Sequence, residues 1–461
     1  ETALDNIEGI RLSADLKATG EFSSSNKLLN RLHRVLDYTF LSNVFSVESD
    51  CPAREKFGYG GDIVGVSRTF CYFYDMHNFY AKAIRDFAND QRPLGGFTET
   101  APYNGIADQG LGDGSGPIGW QLAFAFLQKQ LYEYYGDKRI IENYYPQLKK
   151  QVDFLASKAE DYMIDRCIND HESLDQRIPA LFATAHFYHH VLLITEFAQL
   201  TNRKADQQQY ESFAQKIKAA FIQKFVQTGT GKIGNGTPAE QAFGLYYGLI
   251  PEEIKTKVIQ QLVQAISNRN NHITSGIFGT PIVLTVLSDL NLNDIAYQMA
   301  TQTDFPSWGH MLSSGATTLW ETWKYSDNVF SHNHPMFGSV GEWMYQSLAG
   351  IKALSPGFKQ ICIHPQANGD LQWVNSSYES SRGKITCQWK KENGIYTLQV
   401  HIPANTKAQV FIPNKSQLIK ESGESIASSS LIQIIREESD HCWLEIPSGS
   451  YQFSCPIPQK D

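Results

Sequence analysis

The strongest constraint on the fold is a succession of apolar-periodic segments, each broken from the next by a few turn-forming residues. Helical spacing runs near 118–135 and 139–157, split at Gly136-Asp137, and near 178–200 and 204–226, split at Thr201-Asn202. Two more pairs lie near 239–248 and 252–268, about Pro251-Glu252, and near 279–288 and 292–302, about Asp289-Leu290-Asn291. Upstream, Leu28, Leu32, Val35, Leu36, Thr39 and Phe40 mark a helix capped by Ser25 or Asn26. An apolar run from Ile63 to Phe87 marks another, and a last helix falls near 338–349, so the count approaches twelve. Repeated helix hairpins predict a closed double ring, an (α/α)6 barrel, over residues 22–353. An open α-solenoid competes, because periodicity does not report closure.

Past Leu354-Ser355-Pro356-Gly357 the pattern changes to short alternating runs. Lys384–Trp389 and Ile395–Ile402 flank Asn393-Gly394, a hairpin signal, and further runs fall at Gln409–Ile412, Leu431–Ile435, Cys442–Ile446 and Tyr451–Cys455. Residues 354–461 therefore read as an accessory antiparallel β-sandwich, and residues 1–21 as an extended lead-in segment. The seven cysteines are scattered without paired short spacings, which fits neither a disulfide framework nor a C-x-x-C metal site, although a bridge between late cysteines stays open.

A net charge of −8 argues against a nucleic-acid partner, whose phosphates want a basic face. No apolar stretch is long enough to span a membrane, and no leader pattern reveals the compartment. There is no P-loop, no dinucleotide glycine fingerprint and no G-x-S-x-G elbow, so phosphate and acyl-transfer chemistry lack their usual supports.

Two acid-bearing stretches remain. In Asp50-Cys51-Pro52-Ala53-Arg54-Glu55-Lys56-Phe57-Gly58-Tyr59-Gly60-Gly61-Asp62, the proline and glycines force a loop, and Asp62 is placed to cap the next helix. Asp50 and Asp62 as caps with Glu55 solvated is the plainer reading of that loop alone. Cys51 has no histidine close in sequence and reads as a buried structural thiol. The second stretch runs from Pro306-Ser307-Trp308 to Trp320-Glu321-Thr322-Trp323, where a glutamate between two tryptophans is set for a raised pKa or for simple burial. Around these lie a long loop from Gly95 to Pro117 with Trp120 at its exit, Asp170-His171-Glu172, and Ser331-His332-Asn333-His334-Pro335. The last of these lacks a third metal ligand, and His186 with His190 reads as a core pair, so no metal and no cofactor is expected. A pair of carboxyls far apart in sequence, Glu55 and Glu321, is what glycoside hydrolysis requires.

These residues resemble a known family. Asp50-Cys51-Pro52-x-Arg54-Glu55 followed by Gly58-aromatic-x-Gly61-Asp62 resembles the signature of the α-L-rhamnosidases of glycoside hydrolase family 78. Thr317-Thr318-Leu319-Trp320-Glu321-x-Trp323, Asn333-His334 and Gly338-x-Val340-Gly341-Glu342-Trp343 are similar to its second signature. The resemblance implies an exo-acting, inverting release of terminal α-L-rhamnose from an oligosaccharide or glycoside. Glu55 would be the general acid and Glu321 the general base. Asp50, Arg54, Tyr59, Asp62, Trp120, His171, Trp308, Trp320 and His334 would hold the sugar. Tyr59 stands where the family usually has tryptophan, His171 stands near where many members have another, and the family's common N-terminal β-domains are not within these residues. An inverting barrel glycosidase for a different deoxy or uronic sugar, and a non-catalytic carbohydrate-binding protein, are the alternatives.

Overall fold

The computed structural model describes residues 8–326 and 330–457. Helices α1 (Lys27–Asn43), α2 (Gly60–Phe73), α3 (His77–Asn89), α4 (Ile118–Gln121), α5 (Ala123–Tyr135), α6 (Lys138–Lys158) and α7 (Pro179–Leu200) open the chain. They are followed by α8 (Lys204–Phe225), α9 (Pro238–Tyr246), α10 (Lys255–Ser267), α11 (Gly279–Asp289), α12 (Asn293–Thr301), α13 (Trp308–Ser313) and α14 (Val340–Trp343), the last continuing into a π-turn at Met344–Leu348.

Contacts between helices settle the question of closure. Helix α2 packs on α5, α5 on α7, α7 on α9, α9 on α11, α11 on α14, and α14 returns to α2. A solenoid has no such return, so the ring is closed and the fold is an (α/α)6 barrel. Side-chain chemistry sorts the helices into two layers. Helix α2 buries nearly every residue from Gly60 to Phe73, as an inner helix must, because partners surround it. Helices α3 and α8 bury single stripes, Tyr80, Ile84 and Phe87 in one and Tyr210, Ala214, Ile217, Phe221 and Phe225 in the other. They form the outer layer with α1, α6, α10 and α12.

The turns are as uneven as the layers. Inner-to-outer connections are the shorter ones: residues 74–76, 136–137, 201–203, 247–254 and 290–292. Outer-to-inner connections are long: residues 44–59, 90–117, 159–178, 226–237, 268–278 and 302–339. Every long loop therefore emerges at the end where the inner helices begin, and the positive poles of those helices face the same space.

Several local expectations need correction. The run over 63–87 is two helices, because the backbone becomes extended at Tyr74, whose side chain is buried. Asp62 is not a cap: Tyr59 holds that position and Asp62 lies in the first turn of α2. Asn26 is the cap of α1, accepting from the Leu28 and Leu29 N–H groups. The helix expected over 118–135 is divided at Leu122.

The far end of the barrel meets a β-domain that is antiparallel apart from the parallel pairing of Gln360–Ile363 with residues 407–410. Asn393 and Gly394 both have positive φ, 52° and 76°, as the tight turn between Gly383–Glu392 and Ile395–Ile412 requires. The strand Ile395–Ile412 pairs with Cys442–Pro456 along most of its length, with a register shift between Ile402 and Lys407. Before the shift its other edge pairs with Gly383–Glu392, and after it with Gln360–Ile363. Gly20–Ser24 joins this sheet by pairing with Trp373–Ser380, so the lead-in ends as a strand of the β-domain. All seven cysteines are free and buried, so no late disulfide forms. Among the described residues, no helix is long and apolar enough to cross a membrane.

Candidate active site

The loop before α2 is tied down at both ends. Asp50 accepts the Phe57 N–H at 2.9 Å, and its own N–H donates to the Phe57 carbonyl at 3.1 Å. Glycines let this loop and helix α2 press against their neighbours: a Cβ at Gly61 would lie 2.4 Å from the Trp120 ring, and one at Gly58 2.6 Å from the Ala101 carbonyl. Trp120, at the start of α4, is thus the buried floor beneath Gly61, edge-on to His171 and Phe278.

Asp50 and Asp62 are almost wholly buried, and Asp50 Oδ2 and Asp62 Oδ1 have no hydrogen-bond partner among the described residues. Orphaned buried oxygens are costly unless a ligand or water completes them. Glu55 is exposed at the mouth of this group, and the Tyr59 hydroxyl donates to its Oε1 at 3.4 Å. Burial of its carboxyl raises its pKa to about 7, aided by a hydrogen bond with and the charge of Asp50, then by the charge of Glu321; the Tyr59 hydroxyl opposes the shift.

Glu321 is held differently. The Ser331 N–H donates to its Oε2 at 2.6 Å, and its own N–H donates to the Ser331 carbonyl at 2.9 Å. Burial raises its pKa; the Ser331 N–H lowers it, Glu172 and Asp50 raise it, and Arg54 lowers it. The two glutamates are consequently unlike. Glu55 shares a hydrogen bond with another acid, which favours its protonated form, whereas Glu321 receives an N–H and a cation's field, which favour its anion.

His334 Nδ1 lies 3.4 Å from Asp62 Oδ1, but this is not an ion pair. Burial holds His334 down to about 3, with a further push from His171, and burial raises Asp62 well above the usual carboxylate range, so the contact joins two neutral groups. Asp170 and His171 have different surroundings. Asp170 accepts from the Gly276, Phe278 and Gly279 N–H groups at 2.7, 2.9 and 2.8 Å and caps α11. His171 is half-buried beside Trp120, and the charge of Glu172 reaches Glu321.

Two tryptophans expected in the sugar-binding wall belong to the core. Trp308 is 0% exposed, donates its indole N–H to the Phe337 carbonyl at 3.0 Å and packs edge-on against Trp323. Trp320 is 2% exposed and stacks on His332. An aromatic beside a loop acid has the same sequence signature whether it faces a ligand or the interior. Tyr59 and His171 are the site aromatics that keep open surface.

Sequence reading missed two acids. Glu48 is buried, accepts the Tyr80 hydroxyl at 2.8 Å and acts on Asp62. Glu99, 3% exposed on the long loop before α4, acts on Tyr59. The unusual length of that loop was the available signal for Glu99. Glu438, Asp440 and His441 bring ligand atoms within 4.8 Å of one another on the β-domain, but two of the three are exposed and none belongs to this acid group. A cavity of about 500 Å³ lined by Arg68, Lys129, Glu196 and Lys352 opens at the opposite end of the barrel.

This arrangement has relatives. Residues 17–348 match the bacterial α-L-rhamnosidase six-hairpin glycosidase domain, and residues 350–427 match the bacterial α-L-rhamnosidase C-terminal domain. The chain belongs to this family. An α-L-rhamnosidase of Streptomyces avermitilis is 30% identical over 97% of this chain and 43% of its own length. The structure of the α-L-rhamnosidase from Dictyoglumus thermophilum superposes with a TM-score of 0.88 at 30% identity, over 96% of this chain and 51% of that one. The S. avermitilis enzyme complexed with L-rhamnose superposes with a TM-score of 0.87 at 28% identity, over 95% of this chain and 42% of that one. The chain thus spans about half the length of the rhamnosidases it matches.

Proposed function

We propose that this chain is the catalytic portion of an exo-acting, inverting α-L-rhamnosidase, with residues 22–353 carrying the chemistry and residues 354–461 accessory. The observation that carries this reading is the unlike pair of glutamates. Glu55 keeps its proton near neutral pH, while Glu321 is braced as an anion by the Ser331 N–H. In the reaction, Glu55 passes its proton to the departing glycosidic oxygen as the C1–O bond breaks. A water on the opposite face of the sugar forms the new C1–O bond and gives a proton to Glu321. The product hemiacetal then has the opposite anomeric configuration, and Glu55 and Glu321 exchange their protonation states before the next cycle.

Asp50 and Asp62 would receive sugar hydroxyls on their unpartnered oxygens. Tyr59 and His171 would offer ring faces to its C–H surface, with His334 and Arg54 as further polar contacts and Trp120 as the buried floor. The substrate is a glycan or glycoside ending in α-L-rhamnose, in keeping with the L-rhamnose complex of the Streptomyces relative.

Leaving-group dependence tests the roles. Glu55→Gln should lose about 10²–10⁴-fold in kcat/KM on an α-L-rhamnoside with a poor leaving group and far less on an activated aryl one. Glu321→Gln should lose activity on both. Equal loss on both substrates for Glu55→Gln would mean that Glu55 is not the acid. No release by the unaltered protein would remove rhamnose as the substrate.

A further inference from the structure

Asn333 follows Glu321 in the second motif yet takes no part in the reaction as drawn, and Asn43, at the end of α1, lies outside both motifs. The two meet: the Asn43 side-chain N–H donates to Asn333 Oδ1 at 2.9 Å. Its amide also donates to the Thr39 carbonyl at 2.9 Å, and Asn43 Oδ1 accepts the Ser49 hydroxyl at 3.0 Å. The Ser49 N–H donates to the Asn43 carbonyl at 2.8 Å as well. Thr39, Asn43 and Ser49 are all 0% exposed, so these bonds are made out of reach of water.

Each arm of this amide ends beside one of the glutamates. Ser49 precedes Asp50, and the two bonds between Asp50 and Phe57 close the turn that contains Glu55. On the other side, the Asn333 N–H donates to Ser331 Oγ at 3.1 Å and the Ser331 hydroxyl donates to the Asn333 carbonyl at 3.0 Å. Ser331 is the residue whose N–H braces Glu321. One turn earlier on α1, the Thr39 hydroxyl accepts the Leu319 N–H at 2.8 Å, so the same face of the helix holds the Glu321 segment twice. That face is the buried stripe of α1, which includes Leu32, Val35, Leu36 and Phe40 and gives both loops a rigid base.

We propose that Asn43 is a positioning residue that clasps the loop carrying Glu55 to the segment carrying Glu321, and so sets the placement of proton donor against base. This rests on the reading of those two glutamates as acid and base. An inverting reaction needs both carboxyls in the same step, on opposite sides of the sugar carbon, with a water held between sugar and base. A misplacement of about 1 Å in either costs on the order of 10²-fold in rate. An amide suits the position because it accepts from one loop while donating to the other; a carboxylate has no donor to offer, and a leucine has neither group.

Ser49→Ala cuts one arm, Asn333→Ala the other and Asn43→Ala both. Hydrogen exchange by mass spectrometry on the full chain reads the clasp without substrate. Ser49→Ala should speed exchange across residues 330–336, and Asn333→Ala across residues 49–57, with residues 90–117 unchanged in both. On an aryl α-L-rhamnoside each variant should lower kcat by about 10–100-fold while KM moves far less. The double variant Ser49→Ala/Asn333→Ala should lose little more than either alone, because a clasp opened at one end holds nothing. Faster exchange confined to the altered loop, or spread evenly through the barrel, would overturn the proposal. So would variants that melt at lower temperature with kcat unchanged, since that is a purely structural role. Should Asn43→Ala not fold, the two single-arm variants decide. Coupled exchange in a protein that releases no rhamnose would retain the clasp and discard the proposed reaction.

Discussion

Asp50 is the lever that the structure offers on the proton donor. Burial accounts for the largest part of the Glu55 shift and survives substitution, but the next two causes, a hydrogen bond and a negative charge, both come from Asp50. Asp50→Asn removes the charge while its amide oxygen can still accept the Phe57 N–H, so the loop keeps its anchor. Losing one neighbouring carboxylate lowers a carboxyl pKa by about one unit, which takes Glu55 from about 7 towards about 6. At about pH 7.5 the protonated fraction then falls from roughly a quarter to roughly 3%, an eightfold loss, whereas at about pH 5 it barely changes. The assay is kcat/KM against pH on an α-L-rhamnoside with a poor leaving group, where the proton matters most. Asp50 also stands where a sugar hydroxyl would bind, so a pH-independent loss should accompany the shift without obscuring it. An alkaline limb that stays near pH 7 would refute the electrostatic argument.

Glu342 joins the last inner helix to the first: it faces Arg68 at 3.7 Å and accepts from the Gln346 amide at 2.9 Å. Glu342→Ala leaves the Arg68 guanidinium without this counter-charge and should cost roughly 2–3 kcal/mol in denaturant unfolding, below the range for fully buried pairs because Arg68 is partly exposed. A loss under about 0.5 kcal/mol would mean that the pair does not hold the seam. Glu48 gives a pH signature: burial raises it from an ordinary 4.5 to about 8 in the folded protein. Its contribution to stability is fully present below about 4.5 and is lost as pH rises through about 8, so Glu48→Gln should flatten the melting-temperature profile over that window. An unchanged profile would place the proton elsewhere.

Much of the helical layer was legible because its boundaries are chemical. Gly136 adopts φ 74° at the end of α5, Asp137 accepts the Arg139 N–H at the start of α6, and Asn202 and Asn291 sit at positive φ in short turns. The break at Tyr74 was not legible, because no glycine or proline marks it and burial of the aromatic sets the chain's path there. Closure was hidden for a different reason, since it is a contact between α2 and α14, far apart in sequence. In the site, motifs brought out Glu55 and Glu321, whose neighbours have unusual composition. Glu48 and Glu99 sit among ordinary residues, and only the folded environment shows that their carboxyls are buried. Trp308 failed in the opposite direction, since its indole is fixed to the Phe337 carbonyl inside the core.

The central claim is that Glu55 and Glu321 act on opposite faces of one sugar, and the anomer formed first reports this most directly. Proton NMR of aryl α-L-rhamnoside hydrolysis, followed from the first turnovers and before mutarotation, should show β-L-rhamnose appearing ahead of the α form. Initial appearance of α-L-rhamnose would contradict the account, because it would require a covalent intermediate in place of a water activated by Glu321.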